Sequence, residues 1–403
     1  MKIWKLNFTT FNCSVFSTPS FFSAHSLLCS IVSLRKNGKK IKEVITCLES
    51  IAAKSLQEDY DNAGLLTGSI NAECLGVLTT LDVTEATITE ALQKKCNLIV
   101  AHHPVIFRGL KKLNGNNYVE RTVIAAIKND IAIYATHTNL DNVLNGVNMK
   151  IAGKLNLQNL QILSPKENTL KKLVTFVPQK NAASVRDALF AAGAGSIGNY
   201  SECSYNVEGS GTFKANKGAE PFVGEIDKRH TENESRIEVV FPTHLQDALI
   251  QSLKRAHPYE EVAYDIYPLS NTRNDIGSGV IGDLPEELDG AEFLKLLKAA
   301  FGLKIIRHTQ ILAKKIKKVA LCGGAGSFLI SAAKASDADA YVTADVKYHQ
   351  FFDAEDAILL ADIGHYESEQ FTIDLLADIL RQKFPNFAVL KTELNTNPVR
   401  YFA

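Results

Sequence analysis

The chain has no surplus of charge: its 403 residues carry 44 Lys+Arg against 44 Asp+Glu. Counterion release from nucleic acid needs an excess of positive charge, so this balance counts against a protein held to DNA or RNA. Also missing is any apolar run of about 18 residues or more, the length that suggests a membrane-spanning helix, so no membrane association is expected. No C-x-x-C pair occurs. The seven cysteines (Cys13, Cys29, Cys47, Cys74, Cys96, Cys203, Cys322) are scattered and form neither a disulfide framework nor a cysteine zinc site. They read as reduced thiols, and the expected location is cytoplasmic. What is present is ordinary for a globular protein, 46% hydrophobic and 22% charged. At roughly 100–200 residues per domain, the chain should hold two or three domains.

Residues 1–40 contain no Asp or Glu and are rich in Ser and Phe. A secretory signal fits poorly, because Ser26–Leu34 is interrupted by Ser and Cys and no small-residue cleavage site follows. An organelle-type presequence is compatible with a basic, acid-free segment. The third reading is an appended or mis-started extension without a fold. The segment is treated as lying outside the folded core.

From Ile41 the pattern is strand–helix–strand. Leu75–Val83 and Asn97–Ala101 read as buried strands, with Thr84–Lys95 a helix between them. A helix over Asn117–Asn129 leads to a strand at Ile131–Ala135. The plan returns near the C-terminus: strands Lys318–Cys322, Ala340–Thr343 and Ala357–Ile363, helices Ser327–Ala335 and Tyr348–Glu355, and a last helix Glu367–Lys383. This predicts a duplicated α/β/α domain built on parallel strands. Between the copies the order is β-α-β-β-α-β, that of a ferredoxin-like split unit, with Gly209–Asn233 expected as a long mobile loop. The expected organisation is an extension over 1–40, a first half over 41–168, an inserted domain over 169–270 and a second half over 271–403.

Chemistry-bearing residues gather at predicted strand ends. His102 and His103 follow a strand, and Pro104 lets the chain turn so that both rings can face one cleft. His365 and Glu369 stand four apart at the start of a helix and share a face. Asp141 lies four residues after His137. Three His and two carboxylates are thus expected at three strand ends on one edge of one sheet, where open parallel sheets bind ligands. Each signal has a bland counterpart: a packed histidine, a first-turn acid, a capping aspartate. Together, a mixed imidazole–carboxylate set suits Zn, Mn, Fe, Co or Ni. Five ligands leave open positions on two ions, and such a pair lowers the pKa of a shared water, which is hydrolase chemistry.

Five segments in order, DYDNAGLLTG (59–68), TLDVT (80–84), NLIVAHHPVIF (97–107), THTNLD (136–141) and TADVKYHQFFDAEDAILLADIGHYESE (343–369), resemble the GTP cyclohydrolase 1 type 2 homologues, the NIF-three-like family. The resemblance covers about residues 41–403. It implies a PII/CutA-like inserted domain and two divalent metal ions per subunit (Zn, Fe or Mn). His102 and Asp141 would bind one ion, His103 and His365 the other, with Glu369 bridging. It also implies a toroidal homohexamer, and a small-molecule substrate such as a nucleotide, the family name suggesting opening of the guanine ring of GTP. Tyr60 stands where the family usually has Trp, and Ala344 where it usually has Gly.

Further candidates are His137, as an orienting or substrate-contacting group, and Asp345 and His349, as catalytic groups at the strand end equivalent to that of His102 and His103. Gly323–Gly326 lacks the G-K-[ST] of a phosphate loop and reads as a tight turn. His257–Glu261 reads as a helix-terminating His-Pro, and Lys111-Lys112 and Lys314–Lys318 as solvated faces. The competing function is a non-catalytic metal-binding scaffold that senses a ligand or partner through the inserted domain.

Overall fold

The structure, a computed structural model, describes residues 38–402; the expectations for the extreme N-terminal segment fall almost wholly outside them. Helix α1 (Ile41–Ile51) opens the fold, its Ile41, Val44, Ile45 and Leu48 recurring at helical spacing on one buried face. Then come β1 (Gly64–Thr67), β2 (Val77–Thr80), α2 (Glu85–Gln93), β3 (Leu98–Ala101), α3 (Tyr118–Lys128), β4 (Ala132–Ala135), α4 (Thr138–Asp141) and α5 (Val147–Lys154). Thr84 caps α2 by accepting from Thr87 N, and Asn117 caps α3 by accepting from Glu120 N. Strand β5 (Gln158–Pro165) leads into β6 (Leu170–Pro178), α6 (Ala182–Ala191), β7 (Tyr205–Lys214), β8 (Arg229–Pro242), α7 (Gln246–Ala256) and β9 (Tyr264–Pro268). The chain closes with β10 (Gly277–Leu288), α8 (Gly290–Phe301), β11 (Arg307–His308), β12 (Ile316–Ala325), α9 (Ile330–Ala335), β13 (Ala340–Ala344), β14 (Leu359–Asp362), α10 (His365–Glu369), α11 (Thr372–Lys383) and β15 (Val389–Lys391).

Three sheets result: β1-β4-β3-β2-β15, β11-β14-β13-β12-β10-β5 and β7-β8-β6-β9. Three parallel strands recur in both large sheets, as β2-β3-β4 and β12-β13-β14, but the helix expected over Tyr348–Glu355 between β13 and β14 is only a 3-10 turn, Tyr348–Ala354. Their strands are apolar on both faces, as parallel strands covered on both sides must be. Val77, Leu98, Val100, Ala132 and Tyr134 of the first sheet join Val319, Leu321, Ala340, Val342, Leu359 and Ala361 of the second in one core with α1, α5, α8 and α11. The alternate residues face outward in two further clusters. Leu78, Ile99 and Ile133 lie against α2 and α3, and Ala320, Tyr341 and Leu360 against α9 and the turn 348–354. The layers therefore read helix, sheet, helix, sheet, helix.

Residues 170–268 form the all-antiparallel third sheet with α6 and α7 on one face and a core of their own, Leu173, Val177, Leu189, Ile237, Phe241 and Leu249 among it. Several expectations need correction. Gly209–Asn233 is not one long loop: Gly209–Lys214 and Arg229–Asn233 are strand in the hairpin β7–β8, paired from Tyr205↔Glu238 to Lys214↔Arg229, and residues 215–228 connect them. Backbone ladder bonds carry this ribbon, so its sequence shows little alternation of apolar residues. The last helix is two helices, broken at Gln370–Phe371. Gly323–Gly326 is not a separate tight turn, since β12 runs on to Ala325.

Candidate metal centre

The carboxyl ends of strands from both large sheets converge. His102 and His103 leave β3, His137 caps α4 after β4, Asp82 follows β2, and His365 opens α10 after β14. The expectation of a single sheet edge is thus corrected: the second sheet contributes His365, Glu369 and Asp345, and the two edges meet.

Every imidazole is held by Nδ1. His102 Nδ1 lies 2.9 Å from Thr136 O, and because a carbonyl only accepts, Nδ1 carries the proton and Nε2 is a free lone pair. His103 Nδ1 is 2.7 Å from Asp82 Oδ1, His137 Nδ1 2.8 Å from Asp61 Oδ1, and His365 Nδ1 2.8 Å from Asp345 Oδ2. Such outer hydrogen bonds fix ring orientation and leave the inner nitrogen for a cation.

The inner atoms fall into groups that could hold a metal ion: His102 with Asp141 and Glu369, His103 with His365 and Glu369, and His102 with His103 and His137. His102 Nε2 is 3.6 Å from Asp141 Oδ1 and 3.8 Å from Glu369 Oε1. His103 Nε2 is 3.0 Å from Glu369 Oε2 and 3.3 Å from His365 Nε2, which is itself 3.0 Å from Glu369 Oε2. Donors each about 2.0–2.2 Å from one zinc-like ion stand at such separations. Two atoms test the fit directly. His102 Nε2 and Asp141 Oδ1 are fully buried and have no hydrogen-bond partner, which in a folded interior costs about 1–3 kcal/mol each unless something fills the gap.

Electrostatics point the same way. Burial opposes charge on His103, but its bonds to Asp82 and Glu369 outweigh that and lift it to about 9. Desolvation opposes charge on the half-buried His365 too, but Glu369 and Asp345 outweigh it and lift it to about 11. Burial and the charge of Glu369 raise Asp141 to about 7. Against the opposing effect of its own burial, Glu369 is held well below the usual carboxylate range, first by the charge on His365 and then by bonds from His103 and His365. Without an ion, protons on His103 and His365 supply the positive charge that the carboxylates demand.

Glycine makes the space. Gly324 has φ +62°, and a Cβ there would run into the Glu369 carboxylate and approach His365. Asp345, also in the left-handed region at φ 54°, aims its carboxylate at His365 from the end of β13. A cleft of about 480 Å³ opens beside His103 and His365, lined also by Arg307, Tyr366, Asn397 and Tyr401.

The structure thus brings His102, His103, His137, Asp141, His365 and Glu369 together and puts Asp345 behind His365. It does not bring His349, which is exposed on the turn 348–354 with its ring against Tyr348 and Phe352 and is not among the cleft-lining residues. Asp61 and Asp82 join the site although the sequence does not single them out, both lying within the segments 59–68 and 80–84. Their signal was position, an acid just past a strand or in a turn, which reads equally as a cap. His257 closes α7, with Nε2 3.0 Å from Phe176 O, a structural role.

No helix among the described residues is long and apolar enough to cross a membrane. The model of the Duf34/NIF3 (NGG1p interacting factor 3) family matches residues 39–398. The chain is 39% identical over 369 residues to the GTP cyclohydrolase 1 type 2 homolog of Bacillus subtilis (strain 168), covering 89% of this chain and 98% of that protein. A relative of the same name in Staphylococcus aureus (strain N315) is 34% identical over 367 residues, covering 90% of this chain and 100% of that protein. Among solved structures, a Bacillus cereus protein related to NIF3 superposes with a TM-score of 0.78 at 39% identity, covering 91% of this chain and 100% of that one. A Staphylococcus aureus protein superposes at 0.73 with 29% identity and the same coverage. The resemblance read from five motifs is borne out, and the chain belongs to the Duf34/NIF3 family.

Proposed function

We propose that this protein is a metal-dependent hydrolase with a dinuclear centre, acting on a small molecule such as a nucleotide. His102 and Asp141 would hold one ion, His103 and His365 the other, and Glu369 would serve both. The observation that carries the reading is the pair of buried, partnerless donors, His102 Nε2 and Asp141 Oδ1, facing each other 3.6 Å apart. Imidazole with carboxylate suits Zn, Fe or Mn. Two such ions, when bound, supply Lewis acidity toward a substrate oxygen and make water more acidic.

The chain's own residues do the rest. Thr136 O, Asp82 and Asp345 keep three rings turned inward. Asp61 fixes the proton of His137 on Nδ1, leaving Nε2 to accept a proton beside the centre. The cleft of about 480 Å³ is of a size that takes a small organic ligand, and Arg307 is its one Arg or Lys among the described residues.

GTP is the first compound to test, because relatives carry the name GTP cyclohydrolase 1 type 2 homolog. The protein loaded with Zn, Mn or Fe should consume GTP or a member of a panel of nucleotides, phosphoesters and amides. His103→Ala should reduce turnover by at least about 10²-fold, the scale expected when a group essential to the chemistry is lost. If the loaded protein consumes nothing in that panel, the reading of a metal-binding scaffold takes its place.

A further inference from the structure

The second oxygen of Asp82 has a partner from the far end of the chain. Asp82 Oδ1 holds His103 Nδ1 at 2.7 Å, while Oδ2 accepts from Thr396 Oγ1 at 2.6 Å, across 314 positions of sequence. The fold delivers Thr396 there. Strand β15 lies parallel to β2, so both run out at the same sheet edge, and the segment after β15 passes over the residues that follow β2. Its path is pinned at the start. Thr392 N donates to Thr79 O at 2.9 Å, and Glu90 accepts from Thr392 Oγ1 and from Glu393 N.

The next residue reaches the other half of the centre. Asn397, buried at 8% exposure, donates from Nδ2 to Glu367 Oε1 at 3.0 Å, on the same short helix as His365 and Glu369. Its Oδ1 accepts from Val399 N at 2.9 Å, which keeps the turn closed. Two consecutive residues of the C-terminal segment therefore touch the first repeat through Asp82 and the second through Glu367.

A carboxylate rotates easily about its last torsion, so its own rotamer does not set the plane of Asp82. The partners set it, and Asp82 is still 30% exposed at its side chain, where water competes for the same lone pairs. We infer that Thr396 is a positioning residue of the metal centre: its hydroxyl fixes the Asp82 carboxylate that turns His103 Nε2 toward Glu369 and His365. The C-terminal segment thereby governs how tightly the His103–His365 side of the centre holds its ion. This rests on the dinuclear reading above, and the test separates the two.

Three variants of the full-length chain decide it: Thr396→Val, which keeps shape and loses the hydroxyl; Thr396→Ser, which keeps the hydroxyl; and Asp82→Asn. In metal-free protein, the His103 Nδ1–H resonance, assigned by its loss in His103→Gln, should be protected from solvent exchange in wild type and Thr396→Ser. It should exchange rapidly in Thr396→Val. In Zn²⁺ titrations against a competing chelator, Thr396→Val and Asp82→Asn should weaken one of two ions by roughly 10–100-fold, the usual effect of removing an outer partner, and leave the other unchanged. An unchanged His103 signal in Thr396→Val overturns the inference, as does a wild-type pair of zinc affinities. Equal loss of both ions, or no rescue by serine, overturns it too, because a merely structural role would give that. Should wild type take up fewer than two ions, the dinuclear reading fails, and the His103 resonance still decides the role of Thr396.

Discussion

Whether Glu369 can sit between three imidazoles depends on Gly324. Any side chain at Gly324 would occupy the space of the Glu369 carboxylate, and its φ of +62° costs an L-residue about 1–2 kcal/mol. Gly324→Ala should therefore lower unfolding free energy by that amount and also strip the protein of metal. Urea denaturation and elemental analysis of the purified variant check the two effects. Loss of stability with full metal content would mean that Glu369 has another way to lie. At this scale the sequence was legible where chemistry is rare: His102, His103, His365 and Glu369 stand at strand or helix ends where few bland residues compete. It was illegible where the same residue type has a commonplace use. Asp61 and Asp82 look like caps, Gly324 looks like a turn, and His349 took a cleft role only by analogy between the repeats. An orienting carboxylate announces itself by what it touches, and touch is not written in spacing.

Strand starts in the second sheet hang on one buried acid. Asp339, immediately before β13, accepts from Lys317 N at 2.9 Å and Lys318 N at 2.8 Å near the start of β12, and it pairs with Lys314 Nζ. Burial would raise its carboxyl, but the bonds to Lys314 and the two backbone groups win and hold it below its ordinary 3.8. A depressed acid stabilises the fold above its unfolded pKa and loses that contribution as pH falls through the folded one. Asp339→Asn should thus cost about 1.5–3 kcal/mol at about pH 7. The gap to wild type should close as pH drops below 3.8, in urea unfolding followed by circular dichroism. A gap that persists in acid would show that shape, not charge, does the holding. Element by element, continuous apolar runs such as those of β3 and β13 gave themselves away. Strands β5 and β10 did not, and β7 did only at its start, because GSGVIGDLPEEL and EGSGTF carry glycines, a proline and acids that normally interrupt strands. Gly277 and Gly279 use positive φ to keep β10 in register where its neighbours crowd it.

The two large sheets share one core, and that tertiary fact escapes any pass along the chain. Sequence order shows two repeats, but it does not show that α1, α5, α8 and α11 fill the space between two sheets and bring their carboxyl edges to one site. The third sheet stands apart from this construction. Its core is a separate cluster, and its chain ends lie side by side, with Leu269 N donating to Leu170 O at 3.1 Å. The flanking strands β5 and β10 are antiparallel partners, Gly277 facing Pro165, so residues 170–268 occupy the place of a hairpin turn. A turn of a few glycine-containing residues can span so short a gap. Loop-closure entropy changes only slowly with length, so replacing the segment should cost the shared core little. Deleting residues 170–268 and closing the gap with such a turn should yield a cooperatively folding protein that melts within about 5 °C of the parent, roughly the effect of 1 kcal/mol in a domain. Its metal content should be unchanged, because none of the donors from His102 to Glu369 lies in the excised stretch. Differential scanning calorimetry and elemental analysis of the shortened chain decide the matter. Loss of the cooperative transition would mean that the hairpin β5–β10 needs the segment above it to hold register, and the shared core would then not be self-sufficient.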